Sequence, residues 1–251
     1  MNLLTIADGQ GDSNSCPVWY PEFYKWPEII KLMTKNVNLT NLSRYGAGGE
    51  YIINCLKHNI NNKDVVLIQW PVPNRLDLLL DTDNEDFWQQ SLDSDSSYKD
   101  NVVTINNNLF WLTSTSKDNN VQHYISLKQH QLRLQLTIDY AKLLIEKNNI
   151  KYKFLLSPDS EYLKTSVSET SNWVWHEKFK GMFSFRKVSK YSDLDFGLVQ
   201  PISLIQFDFI KQFIMPAVDL PWRNSREIDA VENMLHKKYK QALEAKPNDS
   251  H

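Results

Sequence analysis

The sequence predicts an α/β fold, a doubly wound parallel sheet of about five strands with helices on both faces, and three observations predict it. Short apolar runs end in turn-forming residues, and amphipathic segments of helical spacing stand between them. The run Asp64 to Trp70 (DVVLIQW) is apolar almost throughout, the pattern of a central strand covered on both sides. No self-similarity at a fixed period is visible, which argues against solenoids and propellers.

The elements follow in order. Leu3 to Ala7 (LLTIA) reads as a buried strand that arrives at the loop Asp8-Gly9-Gln10-Gly11. Trp26-Pro27-Glu28 opens a first helix with Ile29, Ile30, Leu32 and Met33 on one face, proline being tolerated in the first turn. Val37 to Leu42 is a second strand. Ser43 to Gly49 (SRYGAGG) is a glycine-rich turn before a helix through Tyr51, Ile52, Cys55 and Leu56. The third strand ends at Pro71 and Pro73. Residues 81–120, rich in Asp, Ser and Asn, form an irregular excursion with room for two short strands at VVTI and LFWL. Val121 to Asn148 is a long helix with one buried stripe, Leu127, Leu134, Ile138, Ala141 and Ile145, stopped by Asn148-Asn149. Ile150 to Leu156 is a further strand, and Ile202 to Val218 a largely apolar helix that completes the core. The strand-helix alternation gives a flavodoxin-like domain over 1–220, followed by a C-terminal helical extension over 221–251 with a stripe of Ile228, Val231, Met234, Leu235 and Tyr239.

Composition bounds the function. Lys plus Arg number 28 against 30 for Asp plus Glu, so no net field holds nucleic acid or an anionic membrane. No stretch approaches the ~20 apolar residues of a membrane span. MNLLTIADGQ lacks a basic n-region and a long apolar segment, so the chain reads as cytoplasmic at synthesis. Two cysteines, Cys16 and Cys55, make neither a disulfide framework nor a four-ligand zinc site. Asp81, Asp83, Glu85 and Asp86 lack the glycine and terminal glutamate of a calcium loop, and Asp139 with His123 or His130 lacks a zinc spacing. Neither a metal nor a cofactor is expected. Eight Trp with eleven each of Tyr and Phe supply rigid contact surface suited to a partner.

Four blocks carry a family resemblance. Gly11-Asp12-Ser13-Asn14-Ser15 follows the first strand; Asn41 and Gly46-Ala47-Gly48-Gly49 follow the second; Asn74 and Arg75 follow the third; and Asp195-Phe196-Gly197-Leu198-Val199-Gln200-Pro201 precedes the helix at 202. In this order the chain resembles the SGNH, or GDSL-type, hydrolases, over roughly residues 3 to 218. It is most similar to phage-encoded members, in which Trp-Pro opens the first helix and an Arg follows the third strand. The resemblance implies that Ser13, beside Asp12, attacks an acyl or ester carbonyl while Gly9, Gly46 and Asn74 hold the oxyanion, with Asp8 and Arg75 at the pocket.

Two departures weigh against catalysis. The family's Asp-x-x-His is matched by Gly197 and Gln200, and an amide cannot accept a proton at physiological pH. Counted from the strand end, Ala7-Asp8-Gly9 aligns with Gly-Asp-Ser, so Gly9 replaces the nucleophile and the literal match at Ser13 is the less favoured register. His176 and His236 are the substitute bases most worth testing, although packing or solvent exposure accounts for both. The glycines at 46, 48 and 49 serve either a tight turn or a retained oxyanion donor. Asn74 serves either a turn or the oxyanion, and Arg75 with Asp77 is a structural ion pair or a remnant of substrate binding.

The expectation is a catalytically degenerate domain acting as a protein-interaction or structural module, in a phage virion or as an accessory protein, with virion or host proteins as partners. The alternative is an active serine esterase or carbohydrate deacetylase acting on an acyl ester or an acylated sugar. A third class is a noncatalytic carbohydrate-binding protein that keeps the pocket and its Trp residues.

Overall fold

The computed structural model describes residues 1–7, 24–44, 47–71, 77–80, 102–105, 108–112, 127–156, 172–174, 185–194 and 202–245. Five strands, β1 (Asn2–Ala7), β2 (Asn38–Asn41), β3 (Val65–Trp70), β7 (Lys151–Leu156) and β8 (Trp173–Val174), form one sheet in the order β2-β1-β3-β7-β8. Every pairing in it is parallel. The α/β class and the doubly wound sheet are therefore as the apolar runs predict.

Two-residue alternation divides the strands between two cores. Leu3, Ala7, Val65, Leu67, Leu155 and Val174 face α1 (Trp26–Met33), α4 and α5. Here α4 is the continuous run of Ser203–Phe209, Ile210–Ile214 and Met215–Ala217, and α5 is Ser225–Ala245. Leu4, Ile6, Val66, Ile68, Trp70 and Phe154 face α2 (Gly49–Asn59) and α3 (Leu127–Lys147). Because β3 is buried at all six residues, it must be apolar on both faces, which is why it stands out in the sequence.

Each of the three returns from helix to strand passes through an asparagine with positive φ: Asn36 (53°) after α1, Asn62 (61°) after α2 and Asn149 (54°) after α3. Asparagine tolerates the left-handed region better than other side-chain-bearing residues, so these three positions reverse the chain at low cost. The middle of α4, Ile210–Ile214, is a π turn. Pro216 lies just beyond it, and its missing N–H and bulky ring cannot fit a regular turn.

The excursion is more regular than the sequence suggests. β4 (Asp77–Leu80), β5 (Val102–Ile105) and β6 (Asn108–Leu112) form an antiparallel sheet in the order β4-β6-β5. Its first strand lies ahead of residue 81, and DLLL is too short to announce itself. The long helix begins, within the described residues, at Leu127 rather than Val121, and residues 121–126 lie outside them.

The C-terminal helix is built into the first core. Ile228, Leu235 and Tyr239 are buried there beside α1 and α4. Asn224 and Glu227 form the reciprocal capping box at its start, each side chain accepting from the other's backbone N–H at 3.0 Å. Just before it, the backbone N–H of Arg223 donates to Met33 O at 2.9 Å and its Nε to Leu32 O at 2.8 Å, fixing the segment to the end of α1. No helix among the described residues is long and apolar enough to cross a membrane.

Candidate functional site

In an open parallel sheet the crevice for ligands lies beyond the carboxyl ends of the strands, where successive connections diverge to opposite sides. Here that point is between β1 and β3, at Ala7 and Trp70. All four sequence blocks open from this end of the sheet or from the loop before α4. The residues expected to do chemistry, Asp8, Gly9, Asp12, Ser13, Gly46, Asn74, Arg75, Gly197 and Gln200, lie outside the described residues, as do His123 and His176. What is described is the strand and helix ends from which those segments leave.

The first is the end of β2 and the loop after it. Asn41 ends the strand, and its Oδ1 accepts from Thr5 Oγ1 at 3.1 Å, from Ser43 N at 3.1 Å and from Ser43 Oγ at 2.7 Å. Leu42 N and Arg44 N continue onto Thr5 O and Ala7 O at 2.9 and 3.0 Å, so the loop follows β1 to its tip. Asn41 thus shapes the turn with its own amide.

The next is the glycine turn. The Asp77 carboxylate, buried at the start of β4, accepts from Gly48 N through both oxygens at 2.8 and 2.9 Å and from Tyr51 N at 2.8 Å. It thereby caps α2, whose leading N–H groups have no partner within the helix. The expected remnant or partner of Arg75 is thus also the stitch between the antiparallel sheet and the start of α2. Gly49 serves packing: a Cβ there would stand 3.0 Å from Thr137 Cγ2 on α3. The backbone reading of these two glycines, rather than a free oxyanion donor, fits what they touch.

Polar pairs lie beneath the strand ends. Trp26 Nε1 donates to Gln69 Oε1 at 2.8 Å inside the first core, one residue before the end of β3. Lys25, fully buried beside it, gives its backbone N–H to Glu28 Oε2 at 3.0 Å, and Ser203 Oγ at the start of α4 donates to Tyr24 O at 2.9 Å. The sequence offers no signal for a buried Lys25, since lysine is ordinarily a surface residue.

Three histidines are among the described residues. His58 is exposed near the far end of α2, and His236 packs edge-on against Tyr191 at 5.2 Å, the packing role already expected for it. His130 is different. It lies on the first turn of α3, at the same end of the fold as the strand tips, buried, with Nδ1 lacking a hydrogen-bond partner among the described residues. Burial and then the nearby Arg133 charge hold its imidazole below the usual histidine range, against an opposing pull from Glu50. Arg133 Nε donates to Glu50 Oε1, linking α3 to α2 at this point. The spacing of His130 to Leu134 and Ile138 places it on the buried stripe, and that is the signal by which it could be found.

Cys55 is no candidate nucleophile. Burial pushes its thiol up to about 12, an effect that the Asp77 charge reinforces and a hydrogen bond with Tyr51 offsets in part. Among the described residues no cluster of three or more His, Cys, Asp and Glu side chains could hold a metal ion. Compared with family models and with curated proteins, the chain matches none.

Proposed function

We propose that the chain is an SGNH-like domain whose hydrolytic site has degenerated and that it serves as a protein-interaction or structural module, as in a phage virion or accessory protein. The observation that carries this reading is the Asp77 carboxylate at the glycine turn. An oxyanion hole requires free N–H donors and a positive potential where negative charge develops. At this turn Gly48, two residues beyond the Gly46 to which the resemblance gives the donor role, has its N–H bound to that carboxylate, whose charge disfavours a second negative oxygen nearby. Gln200, standing where the family resemblance calls for an imidazole, adds the absence of a proton acceptor at that position. The partners are other proteins of the virion or host.

A second reading, a serine esterase or carbohydrate deacetylase, is favoured by His130, whose buried imidazole keeps one nitrogen without a hydrogen-bond partner among the described residues, at the carboxyl end of the sheet. In that case Ser13 is the nucleophile and His130 its base. A chromogenic short acyl ester separates the two, assayed with wild type, Ser13→Ala and His130→Gln. The first reading expects background hydrolysis from all three. Turnover by wild type that falls at least about a hundredfold in both variants establishes the second.

A further inference from the structure

A small cleft opens between α3 and the strands β7 and β8, away from the strand tips. Tyr152 and Phe154 of β7, both buried, form its base, and Trp173 of β8 stands beside them. Phe154 meets Tyr152 at 4.8 Å and Trp173 at 5.2 Å, the latter at 71°, an edge contact rather than a stack. Trp173 is not covered face to face by that ring and stays partly exposed. Tyr152 is four residues short of Leu156, about 13 Å down the strand from the carboxyl end of the sheet. The cleft is therefore separate from the crevice at β1 and β3.

Polar side chains complete it. On α3, Gln135 Nε2 donates to Asp139 Oδ1 at 3.0 Å, which leaves Oδ2 of this exposed carboxylate as an acceptor. Lys142, three residues on, makes no hydrogen bond or ion pair among the described residues. On the strand side, Tyr152 OH donates to Glu146 Oε1 at 2.8 Å and accepts from the Asn172 amide. Burial, and then the bond to Glu146 and its charge, hold the phenol above its usual range, so it is uncharged. The cleft is thus lined by one cation and one anion, Lys142 and Asp139, while Glu146 is engaged by Tyr152.

An ammonium repels a cationic ligand and a carboxylate an anionic one, so the pair selects a neutral molecule whose groups both donate and accept. An aromatic base with a few polar groups at its rim suits an apolar ring face edged by hydroxyls. A sugar ring has that surface. We propose that this cleft binds a neutral saccharide, one ring face against Trp173, one hydroxyl donating to Asp139 Oδ2 and a neighbouring hydroxyl accepting from Lys142 Nζ. The site goes beyond the interaction reading and stands whether or not the crevice hydrolyses esters.

Titration of the full chain with maltotriose, cellotriose and N-acetylchitotriose to about 50 mM, followed through the indole N–H signals of a nitrogen–proton correlation spectrum, tests this. The Trp173 signal, identified by its loss in Trp173→Phe, should move with at least one of the three, with a dissociation constant on the order of a millimolar. Asp139→Ala and Lys142→Met should each weaken binding about tenfold, as loss of a hydrogen bond to a charged group does. Neither residue is buried, so the indole spectra of both variants without sugar should match wild type. Choline and glucuronate, the charged probes, should leave the Trp173 signal in place. A Trp173 signal unmoved by all three sugars, one moved equally by a charged probe, or binding indifferent to both substitutions overturns the proposal. Ester turnover, or its absence, bears on the crevice alone.

Discussion

His130 and Asp77 show how single side chains set the chemistry of this fold. An imidazole held below its ordinary range by burial and by Arg133 takes up a proton less readily in the folded chain than in the unfolded one, which does so near pH 6.5. The unfolded state therefore binds more protons below that point, and stability falls as pH drops through and beneath it. In urea titrations at pH 8 and pH 5.5, His130→Leu should lose less stability than wild type on going to the lower pH. An unchanged difference between the two proteins would refute an imidazole whose protonation the fold disfavours. Its place on the buried stripe was legible in the spacing to Leu134 and Ile138, whereas its unpaired nitrogen was not, since that depends on which groups α2 brings opposite. Asp77 was legible only as a charge near Arg75; its role as a cap arises from backbone donors 26 and 29 residues earlier in the chain, a separation no local pattern encodes.

Helices and strands announce themselves by period, but period alone does not say which face is inside. The buried stripe of α3 follows from the spacing of Leu134, Ile138, Ala141 and Ile145, and the same helix carries a second row, the exposed Leu132, Leu136, Tyr140 and Leu143, that satisfies the same rule. The strands of the parallel sheet were legible because burial on both faces demands continuous apolar runs, as in VVLIQW. β4 was not, because a four-residue antiparallel strand depends on its partner β6 for definition. Close approach of elements gives a further test. Gly49→Ala gains up to about 1 kcal/mol in helix propensity, less in a first turn, but places a methyl 3.0 Å from Thr137 Cγ2, where overpacking costs about 1–3 kcal/mol. The contact should win and lower the melting temperature. Adding Thr137→Ser removes the opposing methyl and should bring the double variant back to wild type or above it. A neutral Gly49→Ala would mean that α2 and α3 are not held this closely.

At the scale of the molecule, the last helix belongs to the cooperative unit. Ile228, Leu235 and Tyr239 fill the first core, Tyr239 OH donates to Leu194 O at 2.7 Å, and Glu232 accepts from Lys190 and Tyr191. Apolar side chains of this size contribute about 1.5–3 kcal/mol each when buried. Three of them rival the whole stability of a domain, about 5–15 kcal/mol. A chain ended at Asn224 should accordingly lose its near-ultraviolet circular dichroism and its sharp urea transition, whereas retention of both would make the helix an appendage. Among the described residues the parallel sheet has two modest borders: β8 offers two residues of ladder, and β2 offers the four-residue, polar-flanked NLTN. With so little exposed rung on either side, one molecule gives the next scant template for adding strands, so growth into ribbons or fibrils is checked at the margin.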